Sequence, residues 1–587
     1  MRRRTLLLTV ALAALAAAPA SAAPATVSVG FAKYTITPVG PSPAGWDFIP
    51  QPTTGVWGEQ FVDLNGNGCY DLETVPPEPF FDDPRNTQID PQSAGKWDGI
   101  STNAGFGGKC ALGKRDDTWA RAVVFSSGGK TVAMVSLDVV GWFQEEVDRI
   151  RTELAAKHPA IQLDALIVSA THVHEGPDTM GLWSASQGYV LDGKYPLYQQ
   201  YIRSRVVQAI ATAYYARETA YVKFARGTET RGLRDSRGPT VFDPDVWAAE
   251  FVRPLTGTTI GTLVNWSNHP EAQGSDNHYI SSDYPGGVRA RMEAVRGGTA
   301  IFFSGSVGGL MTPLGVSNVP GFPSDDHSHA RAVALGSMVA DAAIAALATA
   351  PYATSTAITV AHKDFLIPLE NQSLVALNEA GLFDRQIALD ATGQAGVLTE
   401  MYAVRLGPAV FITVPGELFP EIANGGYGRD DASQPTNAEE YCPAADTGRP
   451  YEPVIRDQFA GATYKFLFGL GQDELGYIVP KYDFWAFGFP PSDEATGPPP
   501  DPIPPLPDPD PRPPIFVGVV EREDPCGVSH YEETVSAAST MAPIVACTAA
   551  ELAGHDPFGT YATDPQYEAC SPENLTTQPG GIVLPAM

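Results

Sequence analysis

Asp164-Ala165-Leu166-Ile167-Val168-Ser169-Ala170 runs directly into Thr171-His172-Val173-His174-Glu175-Gly176-Pro177. A short apolar run bounded by Gly and Pro has the length and punctuation of a buried strand. In an extended segment the side chains at i and i+2 share a face, so this spacing predicts that His172 and His174 present their imidazoles together at the strand end. That is how a strand delivers metal ligands.

The chain has only 10 histidines in 587 residues, so a third in the same setting is informative. Val264-Asn265-Trp266-Ser267-Asn268-His269-Pro270 is again an apolar segment that reaches a histidine just before a turn residue. A carboxylate has the same context in Phe411-Ile412-Thr413-Val414-Pro415-Gly416-Glu417. At a buried sheet edge Glu417 stays ionised only beside a cation, which makes it a candidate ligand; the alternative is a solvated glutamate after a turn. In Gly471-Gln472-Asp473-Glu474-Leu475-Gly476-Tyr477-Ile478, Tyr477 can coordinate a metal or donate to a substrate oxygen, or be a buried tyrosine with one hydrogen bond. Asp473 and Glu474 are alternative ligands in the same segment.

Around these segments, β-like runs at Val27 to Ile36, Arg121 to Phe125, Thr131 to Val140, Thr258 to Trp266, Ala300 to Phe303, Met401 to Leu406 and Ala409 to Val414 alternate with helical stretches. The helical candidates are Gln144 to His158, Leu197 to Thr219 and Ser328 to Thr349. Mixed elements over this length predict one large α/β (α+β) catalytic domain, with mixed β-sheets flanked by helices, over residues 24–587. The Pro-rich run at 488–515 cannot pack a core and reads as a surface insertion. An Asp/Asn/Gly-rich insertion covers 60–100. Within it Asp63, Asn65, Asn67 and Asp71 hold the oxygen positions of a calcium loop with Gly68 in the turn, but Thr74 stands where the bidentate glutamate belongs. It reads either as a structural calcium site or as a turn-rich loop without an ion.

Composition sets the compartment and excludes some partners. Arg2-Arg3-Arg4, an apolar stretch from Thr5 to Ala18 and Ala20-Ser21-Ala22 have the layout of an export signal over residues 1–23, which predicts a secreted or periplasmic protein. No later segment offers the roughly 18 uninterrupted apolar residues of a membrane span, so no transmembrane anchor is expected. The formal charge is -29, and an acidic surface of this kind repels phosphate backbones, which argues against nucleic acid. Six cysteines in an exported chain favour disulfides, with Cys69 to Cys110 and Cys547 to Cys570 as the guessed local pairs. No Gly-x-Ser-x-Gly elbow is present, which argues against a serine hydrolase.

The motifs, in their order, resemble the neutral/alkaline ceramidase family of zinc amidases: Ile36-Thr37-Pro38, the strand with Asp138, Ser169 to Pro177, Asn265 to Pro270, Ser281-Ser282-Asp283, Pro415-Gly416-Glu417 and Gly476-Tyr477-Ile478, with a resumption at Tyr531-Glu532. The resemblance implies a zinc site of His172, His269, Glu417 and Tyr477, with His174 as hydrogen-bond donor to the amide carbonyl and its oxyanion. Arg237, in Asp235-Ser236-Arg237-Gly238-Pro239, is similar to an arginine that faces the substrate carbonyl; by itself it reads as a surface arginine. Thr312 stands where the family carries a serine, keeping a hydroxyl on a β-branched, stiffer side chain. Glu175 is a group that supports the ligands from behind or shuttles a proton in this frame, and an exposed loop acid by itself.

The implied activity is hydrolysis of the N-acyl amide bond of ceramide or a related N-acyl lipid by metal-activated water. The alternatives are a zinc hydrolase of the same fold acting on another amide or ester, and a non-catalytic, calcium-stabilised exported binding protein. The expected partner is a small lipid amide, and the expected cofactor is zinc, with a structural calcium where the Asp63 to Asp71 loop is read as an ion site.

Overall fold

In this computed structural model the described residues are 23–38, 60–61, 80–81, 101–102, 109–111, 113–182, 194, 196–309, 311–379, 381, 383, 385–389, 393, 395–426, 448–484 and 530–575. The first sheet is mixed and eight-stranded, built from β1 (Thr26–Thr35), β2 (Trp119–Ser127), β3 (Lys130–Leu137), β4 (Ala165–Ala170), β5 (Glu218–Thr228), β6 (Asp245–Val252), β7 (Thr259–Trp266) and β8 (Thr299–Ser304). Its order is β8-β7-β6-β5-β1-β2-β3-β4. Only the outermost pairs, β7 with β8 and β3 with β4, run parallel, each joined by a crossover helix: α1 (Gln144–Lys157) between β3 and β4, and α3 (Asp283–Arg296) between β7 and β8. Parallel neighbours require such a crossover, whereas an antiparallel pair can close through a tight hairpin, as β2 and β3 do with Ser127 opposite Lys130.

The second sheet comprises β9 (Ile358–Pro368), β10 (Ile387–Leu389), β11 (Ala395–Leu406), β12 (Ala409–Thr413) and β14 (Tyr464–Phe468); β13 (Glu417–Leu418) and β15 (Tyr477–Ile478) form a separate two-stranded ladder. Alternation along the strands builds the layers. In β2, Val123 and Phe125 turn toward the second sheet, where they share a core with Phe411, Phe466 and Phe468. Val124, one residue out of phase, turns to the other face and packs with α1 and α2 (Pro196–Tyr215). Phe303 and Phe468 stack across the two sheets with centroids 4.0 Å apart. Each fully buried phenylalanine stabilises the packing by roughly 1.5–3 kcal/mol. On the far face of the second sheet, α6 (Met541–Leu552) buries Val545, Ala546 and Ala549 against Met401 and Ile412. The layers are thus helix, sheet, sheet, helix.

Helix α4 (His329–Thr349) is long and apolar enough to cross a membrane by length and composition, but it packs on α3 and on the outer face of β5 to β7 through Leu335, Val339, Ala343 and Leu347.

The expected elements form, with informative shifts at their ends. The strand expected to reach Val140 leaves the ladder after Leu137, freeing residues 138–140 to serve other partners. The helix expected to reach Thr219 stops at Tyr215, because Glu218 is already paired to Val29 of β1. Cys547 and Cys570 are disulfide-bonded. Cys69, the calcium loop at Asp63 to Asp71, the export signal up to residue 22, and most of both insertions lie outside the described residues.

Candidate metal centre

The opposite edges of the first sheet approach each other, and this brings the histidine segments together. Ser136 of β3 donates to the Phe302 carbonyl of β8 (2.6 Å), and Ser304 of β8 donates to the Thr171 carbonyl beyond β4 (2.6 Å). Asn265 of β7 acts as an extra backbone rung: its amide donates to the Leu467 carbonyl (2.8 Å) and its oxygen accepts the Leu467 N–H (3.1 Å), tying β7 to β14. The carboxyl ends of β4, β7, β8 and β12 therefore open onto one site, where α/β sheets place their ligands.

His172 and His174 reach this site through a turn rather than by strand alternation. The strand ends at Ala170, and His172 has φ 65°. A non-glycine residue held in that left-handed region costs on the order of 1 kcal/mol, and such strain concentrates at functional sites. Hydrogen bonds from Thr171 N to Leu137 O (2.7 Å) and from His172 N to Val139 O (3.0 Å) fix the turn. The three imidazoles then gather, with centroids 4.9 Å apart for His172 and His174, 4.8 Å for His172 and His269, and 5.5 Å for His174 and His269.

Backbone carbonyls decide what two of these rings offer. His172 Nδ1 lies 2.7 Å from the Val140 carbonyl and His269 Nδ1 lies 2.9 Å from the Met311 carbonyl. A carbonyl only accepts, so both Nδ1 atoms donate, and each Nε2 is left to face the site. Both Nε2 atoms face the same atom, Glu417 Oε2, at 3.3 Å and 3.1 Å. Two imidazole lone pairs aimed at one carboxylate oxygen repel it unless a proton or a cation lies between them. The spacing suits zinc, because tetrahedral ligands at about 2.0–2.1 Å from the ion sit about 3.3 Å apart. Burial pushes the Glu417 carboxyl up, but the charges and hydrogen bonds of His172 and His269 outweigh it and hold the group well below the carboxylate range. Glu417 is buried, so its reading as a solvated turn residue is overturned. Burial, reinforced by His172 and His269, pushes His174 well below the usual histidine range.

Tyr477 enters from β15, whose parallel ladder with β13 puts it opposite Glu417. Gly476 before it has φ 83°, and a Cβ there would lie 1.6 Å from the Val535 carbonyl, so only glycine admits this approach. Tyr477 is buried and its ring lies 5.9 Å from that of Tyr531. Of the alternative ligands, Asp473 is turned away into a 2.7 Å ion pair with Arg385, whereas Glu474 lines the same cleft as His172, Glu417 and Tyr477.

Arg237 is not a surface arginine. It is buried and bound to Glu532 (3.0 Å), Glu533 (2.8 Å) and Asp483 (3.2 Å). These bonds anchor the segment that carries Tyr531, a cleft residue that the sequence marks as the place where the resemblance resumes but to which it assigns no role. Glu175 is likewise not an exposed loop acid. It is fully buried, neither carboxylate oxygen has a hydrogen-bond partner among the described residues, and burial followed by the nearby charge of Asp283 pushes its carboxyl well up. Thr312 is buried and its hydroxyl donates to Glu271, a second acid that sequence reasoning missed.

The site lies on a cleft of about 900 Å³, its open mouth included. His172, His174, Glu417, Glu474, Tyr477 and Tyr531 bring polar groups to its lining, Asn378 and Arg385 add two more, and the rest is apolar, with Phe143, Met180, Leu374, Phe383, Val397 and Leu475. A mostly apolar cleft with a few convergent polar groups is the form of a small-molecule site.

No family model matches this chain, and no curated protein matches it in sequence. Among solved structures, the neutral ceramidase from Pseudomonas aeruginosa superposes with a TM-score of 0.51 at 14% identity, over 78% of this chain and 69% of that one. A ceramidase complexed with C2 gives a TM-score of 0.50 at 15% identity, over 77% and 69%. The chain has the fold of these ceramidases.

Proposed function

We propose that this chain is an exported, zinc-dependent amidohydrolase that cleaves the N-acyl amide bond of ceramide or a related N-acyl lipid. The observation that carries the reading is the convergence of His172 Nε2 and His269 Nε2 on Glu417 Oε2, at the polar end of an apolar cleft. His172, His269, Glu417 and Tyr477 would hold the zinc ion. When bound, it supplies a water nucleophile at neutral pH and polarises the scissile carbonyl.

The chain's own residues account for the rest. The apolar wall takes the acyl chain and excludes bulk water, which strengthens every polar contact inside. His174, beside the ligand pair, offers a ring N–H to the oxygen that becomes negative as the carbonyl is attacked. Tyr477 and Tyr531 place two phenols at the same end of the cleft, able to hold the amide or to protonate the departing nitrogen. The export-signal layout read in residues 1–23 supports a site of action outside the cytoplasm.

The test is release of amine from a fluorescent N-acyl-sphingosine by the purified protein, before and after chelation and with zinc added back. Hydrolysis lost to chelator and restored by zinc supports the reading. Protein that binds zinc and cleaves no N-acyl lipid overturns the substrate and moves the function to another amide or ester. Protein that binds no zinc overturns the mechanism.

A further inference from the structure

The turn Pro270–Glu271 and the loop Met311–Leu314 form a clamp around His174. His174 N donates to the Pro270 carbonyl (3.0 Å), so its main chain is tied to the turn that follows His269. Its Nδ1 faces Glu271 Oε2 at 3.6 Å. The other oxygen of that carboxylate, Oε1, accepts the hydroxyl of Thr312. Thr312 Oγ1 in turn accepts the Leu314 N–H (3.1 Å), and Thr312 N donates to the Arg234 carbonyl (2.9 Å). Glu271 and Thr312 are both buried, at 5% and 6% exposure, so water does not compete for these bonds. The same loop holds His269, whose main-chain N–H (2.7 Å) and Nδ1 (2.9 Å) both donate to the Met311 carbonyl.

We propose that Glu271, held by the Thr312 hydroxyl, is the positioning residue for His174: it keeps the Nδ1–H of that ring on the carboxylate and turns the Nε2 lone pair toward the reacting carbonyl, where it takes the proton that the attacking water gives up and so becomes the N–H that faces the oxyanion. A carboxylate that accepts from one imidazole nitrogen sets both the orientation and the tautomer of the ring, and polar contacts of this kind tighten when a substrate fills the site. Thr312 then acts through Glu271. Its proton is engaged by the carboxylate and a lone pair by Leu314, so it is a support and not a nucleophile. This inference rests on the reading of His174 as the group that faces the substrate carbonyl.

The experiment uses the full-length, zinc-loaded protein labelled with 15N-histidine, comparing Glu271→Gln, Thr312→Val and Thr312→Ser. His174→Gln identifies the His174 signals. In the wild type, long-range proton–nitrogen spectra are expected to show His174 protonated at Nδ1. In Glu271→Gln and Thr312→Val the tautomer is expected to shift toward Nε2–H, with kcat on the N-acyl substrate down about 10- to 100-fold, KM changed less than about threefold and zinc content unchanged. Thr312→Ser is expected to recover both the tautomer and the activity that Thr312→Val loses. An unchanged His174 tautomer in Glu271→Gln and Thr312→Val overturns the proposal. So does loss of zinc from Glu271→Gln, which would make Glu271 a metal ligand. Should the wild type cleave no N-acyl lipid, the spectra still decide the role of Glu271, and only the functional reading fails. Should Glu271→Gln not fold, Thr312→Val carries the same test.

Discussion

Glu417 and Tyr477 face each other as register partners in the parallel ladder β13–β15. The ladder is held by hydrogen bonds from Glu417 N to Gly476 O (3.0 Å) and from Phe419 N to Ile478 O (3.4 Å), so two proposed ligands of different chemistry share one backbone frame. Their contributions should nevertheless differ. Glu417 is the oxygen on which both Nε2 atoms converge, whereas the Tyr477 phenol also has Tyr531 as a partner. Glu417→Gln, His172→Ala and His269→Ala are each expected to weaken zinc binding by more than about 100-fold, and Tyr477→Phe by about 10-fold. Competition against a chromophoric chelator measures this, and a Tyr477→Phe protein as depleted as Glu417→Gln would rank the phenol as an equal ligand.

Asp138 and Arg289 form a buried fork of 2.6 and 2.7 Å that fastens α3 to the end of β3. Asp138 also accepts from Trp119 N (2.9 Å) and from the hydroxyl of Thr171 (3.3 Å), the residue that leads into the His172 turn. Arg289→Met leaves a buried carboxylate without its countercharge, and is expected to cost about 3–5 kcal/mol in denaturant unfolding. The double variant Asp138→Leu, Arg289→Met should recover part of that loss, because it removes the uncompensated charge. Equal instability of the single and double variants would contradict this account.

The elements legible in the sequence were those whose local pattern agrees with their environment. The helix read as Gln144 to His158 forms at Gln144–Lys157, and the run Ala165 to Ala170 forms β4 with every residue buried. The unread elements are those that depend on distant partners. Asp283-Tyr284-Pro285-Gly286-Gly287 looks like a turn, yet it opens α3, since proline is tolerated in a first turn whose N–H groups lack intrahelical partners. Strand β14 is set by pairing with β12 from about fifty residues earlier, with Ala409 opposite Tyr464. In the site, His172, His269 and Glu417 were legible because a histidine or glutamate at the end of an apolar strand is unusual. Glu271 and the burial of Glu175 were not, because solvent exclusion around a carboxylate is a property of the assembled layers.

The apolar wall of the cleft should set chain-length preference independently of the metal site. Leu374, on α5 (Gln372–Glu379), is only half-buried and lines the cleft, so Leu374→Glu is expected to fold. Losing contact with about two methylenes of an acyl chain costs roughly 1.6 kcal/mol, or about 15-fold in affinity. KM for a long-chain N-acyl substrate should rise by about that factor, while KM for a two-carbon acyl analogue stays within about twofold. An equal rise for both would place Leu374 outside the acyl path.

Glu452 gives the fold a pH dependence that can be read without any substrate. Its carboxyl is buried, with one oxygen accepting the Lys481 N–H at 2.8 Å and the other without a hydrogen-bond partner among the described residues. Burial, only partly offset by that hydrogen bond, pushes it up to about 7 from an ordinary value of 4.5. The folded state therefore holds this proton more tightly than the unfolded chain does. Stability from this group is fully present below about pH 4.5 and is lost as pH rises through about 7, because there the unfolded state has already released a proton that the folded state still carries. The difference amounts to on the order of 3 kcal/mol across that window. Glu421, raised to about 8, and Asp283, raised to about 6, act in the same direction. Urea unfolding at pH 5, 6, 7 and 8 should show the wild type losing stability with rising pH and Glu452→Gln losing less, since the amide keeps the acceptor for Lys481 N and has no proton to release. Parallel slopes for the two proteins would mean that Glu452 ionises in the folded state as it does in the unfolded chain.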